Sequence, residues 1–319
     1  NPEHKIRLLS DELVAMAQKN RDDNGLLFVF AGRRGLSPQT VCTDCETILS
    51  CDLCSAPLVL YGRDAGRFFL CNKCGKKFSA EETCRKCGGW RLATLGIGTE
   101  KIEAELRSAL PGAKVFRLDK ISAPTHKKAS LIAEKWYASP GSILVGTEMA
   151  LLYLDRSIDY GAVASLDALF SIPDFRINEK IFSVILKMRS ITQKQFLLQT
   201  RSPETDVLVW GVKGNIMDFY RHEIENRKKF SFPPFSTFIK ISFAGKKDEV
   251  LKAMEKLRAL LAGFHVDVFP AFIATVRGNY IMHALVKLSP GEWIHTELLD
   301  RLKTLPPQYA INVDPESIL

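Results

Sequence analysis

The eight cysteines of this 319-residue chain all lie between positions 42 and 87. They form four Cys-x-x-Cys pairs, which are Cys42 with Cys45, Cys51 with Cys54, Cys71 with Cys74, and Cys84 with Cys87. Two intervening residues let both thiolates of a tight turn reach one ion. Disulfides are typical of secreted proteins, and the N-terminal residues contain no apolar leader. The pattern therefore predicts two zinc ions with four thiolates each, which are structural because no ligand position stays open for water.

Spacing alone leaves two pairings of the cysteines open. In a nested pairing, an inner site closes across the predicted hairpin "APLVLYGRDAGRFFL", and the first and last pairs form an outer site. In a sequential pairing, successive pairs share an ion. Either way, eight thiolates and two Zn²⁺ give the module a negative net charge. We therefore expect it to hold a fold, separate strands or bind protein rather than clamp phosphate.

The composition, 46% hydrophobic and 25% charged, is that of a globular protein with a core of normal size. No apolar run reaches the roughly 18 residues of a membrane span, so we expect a cytoplasmic protein without membrane partners. The net charge of +8 is spread evenly along the chain, which suits nucleic acid and a merely soluble basic protein equally. Because the sequence does not begin with Met, we expect a fragment or a processed product.

The elements around the cysteines alternate between strands and helices. Leu26–Phe30 predicts a buried strand, Thr99 is a candidate N-cap of the following helix, and Val115–Leu118 predicts another strand. Further strands are predicted in "GSILVGTEM", "GAVASLDALFSIPDFR" and "QFLLQT". This alternation is typical of an α/β domain whose parallel sheet is covered on both faces, with the zinc module inserted into it.

The sequence gives weaker signals for a phosphate-binding or catalytic site. Three glycines follow strands and precede helices: Gly96, Gly98 and Gly146. Glycines at such positions either bind phosphate or form tight turns, and we favour tight turns. The chain contains no GxxxxGK[ST] loop. No Ser/His/Asp order stands out, so no catalytic residue is predicted.

Together, "GRRGLSPQTVCTDC", the other cysteine pairs, "GIGTEKIE" and "PDFR" resemble the family of primosomal protein N′, the bacterial replication-restart helicases. The string "FYRHEIENRKKFSFPPFSTFIKISF" resembles the C-terminal domain of that family. The resemblance implies a RecA-like lobe of a superfamily 2, ATP-dependent DNA helicase that recognises forked or branched DNA. It implies primosome proteins and the single-strand DNA-binding protein as partners. It also implies nested zinc sites: an inner one of Cys51, Cys54, Cys71 and Cys74, and an outer one of Cys42, Cys45, Cys84 and Cys87.

The chain departs from this family at its motor motifs. The first lobe, with the Walker residues, is absent from the sequence. Gly146 and Thr147 resemble the start of motif V, but "ALLYLDRS" follows in place of the family's Lys-Gly. The arginine finger of motif VI is missing from "SVILKMRSITQKQ", which lacks glycine. Removing such a finger costs about 10³–10⁵ in rate in related NTPases, so we predict that this chain alone does not hydrolyse ATP.

Several basic and aromatic residues are predicted to contact DNA. Arg33 and Arg34 stand at helicase motif IV by the resemblance, or are surface charges after a strand. Arg227, Lys228 and Lys229 form a basic run beside aromatic residues. This run contacts the DNA backbone or, as the alternative, is the solvated end of a helix. Arg277 with Tyr280 combines a cation with a stacking ring, or forms a hairpin turn.

The sequence predicts four segments in three parts. A helicase-like lobe comprises residues 1–41 and 92–205, a zinc-binding insert spans 42–91, and a separate α+β domain spans 206–319. We expect a DNA-binding replication-restart protein with an incomplete motor. One alternative is an active 3′-5′ helicase once the missing lobe is restored. The other is a zinc scaffold for protein partners.

Overall fold

The computed structural model describes residues 8–32, 39–45, 47–52, 58–61, 68–71, 76–79, 81–95, 98–172, 174–276, 278–292 and 295–319. The strands are β1 (Leu27–Ala31), β2 (Gln39–Cys42), β3 (Leu58–Tyr61), β4 (Phe68–Cys71), β5 (Lys77–Ser79), β6 (Leu92–Leu95), β7 (Val115–Leu118), β8 (Ile143–Gly146), β9 (Ile158–Ser165), β10 (Thr192–Leu198), β11 (Thr237–Gly245), β12 (Val266–Val276), β13 (Asn279–Leu288) and β14 (Ala310–Val313). The α-helices are α1 (Asp11–Asp22), α2 (Thr99–Ala109), α3 (His126–Tyr137), α4 (Ile177–Ile191), α5 (Asp206–Lys213), α6 (Ile216–Lys229), α7 (Lys247–Leu260) and α8 (Thr296–Lys303). Short 3₁₀ helices span Ala150–Tyr153 and Asp167–Ser171.

The chain divides into two compact units. The first unit comprises Asn1–Pro173 and Ile177–Ile216, and the second comprises Asp174–Arg176 and Met217–Leu319. The division therefore falls after the predicted position 205/206, because α5 packs on α4 of the first unit. Whether 42–91 and 206–319 act as separate functional domains stays a prediction.

A parallel sheet with the strand order β10-β9-β1-β8-β7 forms the centre of the first unit. Every residue of β1 is buried, as the apolar run predicts. Alternate side chains of this strand point to opposite faces, so Leu27 and Val29 join a core cluster with α1 and α2. Helices α3 and α4 pack on the sheet as well. The predicted α/β fold is confirmed.

Capping residues fix the starts of some helices in the first unit. The Ser10 side chain accepts a hydrogen bond from the Leu13 N–H at the start of α1, and Thr125 does the same for Lys128 at the start of α3. The N-cap predicted at Thr99 is wrong. Gly98 occupies the N-cap of α2, and the buried Thr99 hydroxyl instead donates to Asp119 Oδ2 at 2.5 Å.

The cysteine-rich insert is an antiparallel structure within the first unit. Strands β2 and β6 pair at its entrance and exit, where Cys42 lies opposite Leu92. Between them, β3, β4 and β5 form a small sheet, and β3 with β4 makes the predicted hairpin. A minor apolar cluster that includes Leu49, Leu58 and Phe69 packs at this sheet.

The second unit contains an antiparallel sheet with the strand order β12-β13-β11-β14. Helices α7 and α8 contribute Val250, Leu257 and Leu298 to its core. This α+β arrangement agrees with the fold class expected for the C-terminal part. Over the residues described in both units, no helix has the length and apolarity needed to cross a membrane.

Candidate metal centre

The first and last cysteine pairs of the insert come together in space. The sulfur atoms of Cys42 and Cys87 lie 3.6 Å apart, and those of Cys45 and Cys84 lie 3.5 Å apart. All four sulfurs lie within 4.8 Å of one another. The pairing of strand β2 with β6 brings the two turns to this position. This cluster could hold a metal ion, and its members are those of the outer site in the nested arrangement.

The spacing of the sulfurs fits a tetrahedral thiolate site. With Zn–S bonds of about 2.3 Å, the edges of such a tetrahedron measure about 3.8 Å. The observed separations bracket this length, and none approaches the roughly 2.05 Å of a disulfide. Four sulfur ligands complete the coordination of Zn²⁺ and leave no position for a reacting water.

Backbone hydrogen bonds shape both cysteine turns in the same way. The Cys42 N–H donates to the carbonyl of Thr47 at 2.9 Å, and the Cys84 N–H donates to that of Gly89 at 2.8 Å. Each bond spans five residues and curls the chain around the first sulfur. Gly88 has a φ of +71°, which favours glycine, and a Cβ on Gly89 would collide with the Asp44 carboxylate. The sequence Cys-Gly-Gly therefore follows from the shape of the turn.

Two of the four thiols have opposite ionisation preferences. Hydrogen bonding by Thr47, through its side chain and then its backbone, lowers the pKa of Cys45 to about 6. At Cys87 the Gly89 N–H lowers the pKa. The sulfur of Cys45, burial and the other sulfurs together outweigh this effect and raise the pKa to about 12. The neighbouring sulfurs thus oppose ionisation of the Cys87 thiol. A divalent cation among them would offset this effect, which is the chemistry of a metal site.

The remaining two pairs are described only in part. Cys51 and Cys71 are buried members of the same apolar cluster, whereas Cys54 and Cys74 lie outside the described residues. The Cys71 N–H donates to the Lys76 carbonyl at 2.9 Å, again across five residues. The turn that starts at Cys71 therefore has the hydrogen bond found at both turns of the four-cysteine cluster.

The predicted DNA-contacting residues fall into three groups. Arg33, Arg34 and Arg277 lie outside the described residues. Lys228 and Lys229 are exposed at the C-terminal end of α6. DNA contact by these residues stays a prediction.

Arg227 and Tyr280 are engaged within the second unit. Arg227 is 8% exposed, pairs with Glu223 at 3.0 Å and donates to the Pro233 carbonyl at 2.9 Å. Its guanidinium also lies 5.4 Å from the centre of the Phe175 ring. Tyr280 is half-buried against the core of this unit. The geometry of Arg227 is that of a structural side chain and gives no support to a DNA contact.

The carboxyl edge of the parallel sheet contains the residues that resemble motif V. A Cβ on Gly146 would lie 2.5 Å from Ala150 Cβ and 3.1 Å from the Leu118 carbonyl oxygen, so close packing explains this glycine. The buried Asp119 directly follows β7. Burial raises its pKa, but hydrogen bonds from Thr99 and from the N–H groups of Ser122 and Ile121 leave the pKa below its usual value. This edge is held by internal hydrogen bonds.

Trp90, which was not predicted to have a function, is an exposed aromatic residue next to the cysteine cluster in the sequence. Trp90 follows the last cysteine turn and is 78% exposed. The signal in the sequence was its position, since Trp90 directly follows the Cys-Gly-Gly that ends the last Cys-x-x-Cys pair.

The chain is similar to replication restart proteins PriA of several bacteria. No protein-family model matches the chain. Replication restart protein PriA of Thermotoga maritima is 25% identical over 323 aligned residues, covering 99% of this chain and 44% of the relative. PriA of Chlamydia trachomatis is 30% identical over 266 residues, covering 81% and 35%, and PriA of Bacillus subtilis is 26% identical over 327 residues, covering 98% and 40%. The chain thus spans less than half the length of these three curated relatives.

Proposed function

We infer that this chain, a homologue of replication restart protein PriA that corresponds to its C-terminal region, acts in replication restart by binding DNA at forked structures. The observation that carries the proposal is the similarity to PriA proteins over as much as 99% of the chain. An even basic charge of +8 and the exposed Lys228 and Lys229 support an anionic partner. Primosome proteins and the single-strand DNA-binding protein are the proposed protein partners.

We propose two structural zinc ions in the insert. The sulfur separations of the outer cluster and its four-thiolate chemistry support the first ion. The backbone hydrogen bond from Cys71 to Lys76, which repeats that of Cys42 and Cys84, supports a second ion at Cys51, Cys54, Cys71 and Cys74. Both ions would fix the ends of short strands that the small apolar cluster cannot hold alone. Their chemistry is architectural, since zinc with four thiolates binds no water.

We propose further that the chain alone does not hydrolyse ATP. The cations nearest to the expected motif VI have other contacts, which supports this view. Lys194 pairs with Asp159 at 3.1 Å. The Arg189 guanidinium lies against Gly214 at the end of α5. DNA-stimulated hydrolysis above background by the purified chain would refute the proposal and would favour the helicase alternative.

Fluorescence anisotropy tests the DNA-binding proposal. A forked DNA and a plain duplex of equal length are titrated with the zinc-loaded chain at physiological salt, and each titration is repeated over a range of salt concentrations. We expect tighter binding to the fork and an affinity that falls steeply with salt, because phosphate contacts release counterions. Equal affinity for both would contradict fork recognition. Negligible binding to either would favour the protein-scaffold alternative.

A further inference from the structure

Trp90 presents its indole to solvent on the surface of the metal-binding turn. Its exposed fraction of 78% contrasts with that of Trp136, which is fully buried. Leaving so large an apolar ring in water is unfavourable for folding. Tryptophans exposed in this way on an ordered surface commonly mark a contact with another molecule.

The backbone on both sides of Trp90 is tied to the cysteine turns. Before it, the Gly89 carbonyl accepts the Cys84 N–H at 2.8 Å. After it, the Arg91 carbonyl accepts from the Thr43 N–H at 2.9 Å and from the Thr43 hydroxyl at 3.0 Å. The Arg91 side chain pairs with Asp44 at 2.8 Å. The indole is therefore mounted on a preorganised support, which lowers the entropy cost of binding through it.

Two exposed basic residues precede this ring in the sequence, although the insert as a whole was expected to be negative. Of the basic residues that follow Glu82 in the insert, Arg91 is paired with Asp44, which leaves Arg85 and Lys86. Arg85 and Lys86 are exposed on the same turn that holds Cys84 and Cys87. The negative net charge expected for the whole insert therefore does not describe this turn, which carries two exposed basic side chains within five residues of Trp90.

We propose that Trp90 stacks on an unpaired base of single-stranded DNA while Arg85 and Lys86 contact the adjoining phosphates. A projecting aromatic ring beside basic side chains is the arrangement with which proteins bind single strands without reading sequence. The bases of a duplex already stack on each other, so the ring selects the unpaired strand. An apolar pocket of a partner protein would bury the same ring, but the basic surroundings favour a polyanion. The proposal rests on the DNA-binding function inferred above.

The test measures binding of the full, zinc-loaded chain to a 15-residue thymidine oligonucleotide. Because stacking on one aromatic ring is worth about 1–3 kcal/mol per base, Trp90→Ala should weaken binding by about 5- to 150-fold, whereas Trp90→Phe should retain most of it. An oligonucleotide of the same length without bases should bind the wild type and Trp90→Ala equally. Lys86→Ala should instead reduce the salt dependence, since it removes a phosphate contact.

Zinc content and far-UV circular dichroism establish that each variant is folded. If the wild type binds the oligonucleotide and Trp90→Ala binds it equally well, the stacking role is refuted while the DNA-binding function stands. If the wild type binds no DNA, both are refuted. A loss for Trp90→Ala that is as large on the oligonucleotide without bases would also overturn the proposal, because stacking requires a base.

Discussion

The sulfur atoms of Cys42 and Cys87 lie 3.6 Å apart although 45 residues separate them along the chain. One ion held between them would join the entrance and exit of the insert. The strands between these two points are short and share a small apolar cluster. The stability of the insert should therefore depend on metal more than on its core.

Replacing one buried ligand tests this dependence. Cys84→Ser should lower the bound zinc from two equivalents to one and unfold the outer part of the insert, because structural zinc contributes about 10–16 kcal/mol in small peptides. Metal analysis by mass spectrometry and limited proteolysis measure the two effects. Thr83→Ala, at the exposed neighbouring position, should keep both ions. Two equivalents in Cys84→Ser would place the ion elsewhere.

A buried histidine predicts that the second unit loses stability in acid. Burial, followed by the charge of Lys240, lowers the pKa of His283 to about 4, and its Nδ1 lies 2.8 Å from the Ser242 hydroxyl. The unfolded chain, with the ordinary pKa of 6.5, binds this proton more readily. The free energy of unfolding that neutral His283 contributes is therefore fully present above pH 6.5 and is lost as the pH falls from 6.5 towards 4.

Urea unfolding between pH 4 and 8 measures this effect. The wild type should lose about 1–2 kcal/mol over that window through His283, since residual contact with solvent weakens the full effect of the shift. His283→Asn keeps a hydrogen-bonding group near Ser242 and should show a correspondingly flatter profile. An unchanged slope in the variant would assign the acid sensitivity to other groups.

The sequence predicted those parts of the molecule that depend on spacing and periodicity. The apolar run of β1 and the hairpin of β3 with β4 are visible in one dimension, because alternation and burial repeat along the chain. The choice between Gly98 and Thr99 as the N-cap was not visible in the sequence. It depends on Asp119, which follows a different strand and accepts the hydrogen bond of the Thr99 hydroxyl. The burial of Arg227 was not visible in the sequence for the same reason. A basic run gives no sign that one member faces Glu223 and the core.

Close packing at Gly146 predicts that even a methyl group is excluded there. Gly146→Ala would bring a carbon within 3.0 Å of Phe28 and within 2.5 Å of Ala150, inside the core of the parallel sheet. Overpacking of this kind costs about 1–3 kcal/mol, and thermal unfolding should show it as a lowered Tm. Gly245→Ala is the matched control, because its nearest neighbour would lie at an ordinary 3.4 Å. A Tm for Gly146→Ala equal to that of the control would contradict the packing argument.

The basic run at the end of α6 contains one buried and two exposed charges. Arg227 and Glu223 form a buried pair, with side chains 10% and 6% exposed, whereas Lys228 and Lys229 face solvent. Removing one partner of such a pair leaves the other charge buried and costs about 3–5 kcal/mol. Arg227→Ala should therefore lower the Tm of the second unit. The double variant of Lys228→Ala with Lys229→Ala should leave the Tm unchanged.

DNA affinity should depend on the two exposed lysines rather than on Arg227, which is the reverse of the expected effects on Tm. At a temperature where all variants are folded, the lysine variant should bind forked DNA more weakly and with a smaller salt dependence, because up to two phosphate contacts are lost. Arg227→Ala should then bind nearly as the wild type does, since its guanidinium is spent on Glu223 and Pro233. Arg227→Lys serves as the control, because a lysine keeps the charge but loses the forked geometry. A specific loss of DNA affinity in folded Arg227→Ala would instead restore this residue to the interface.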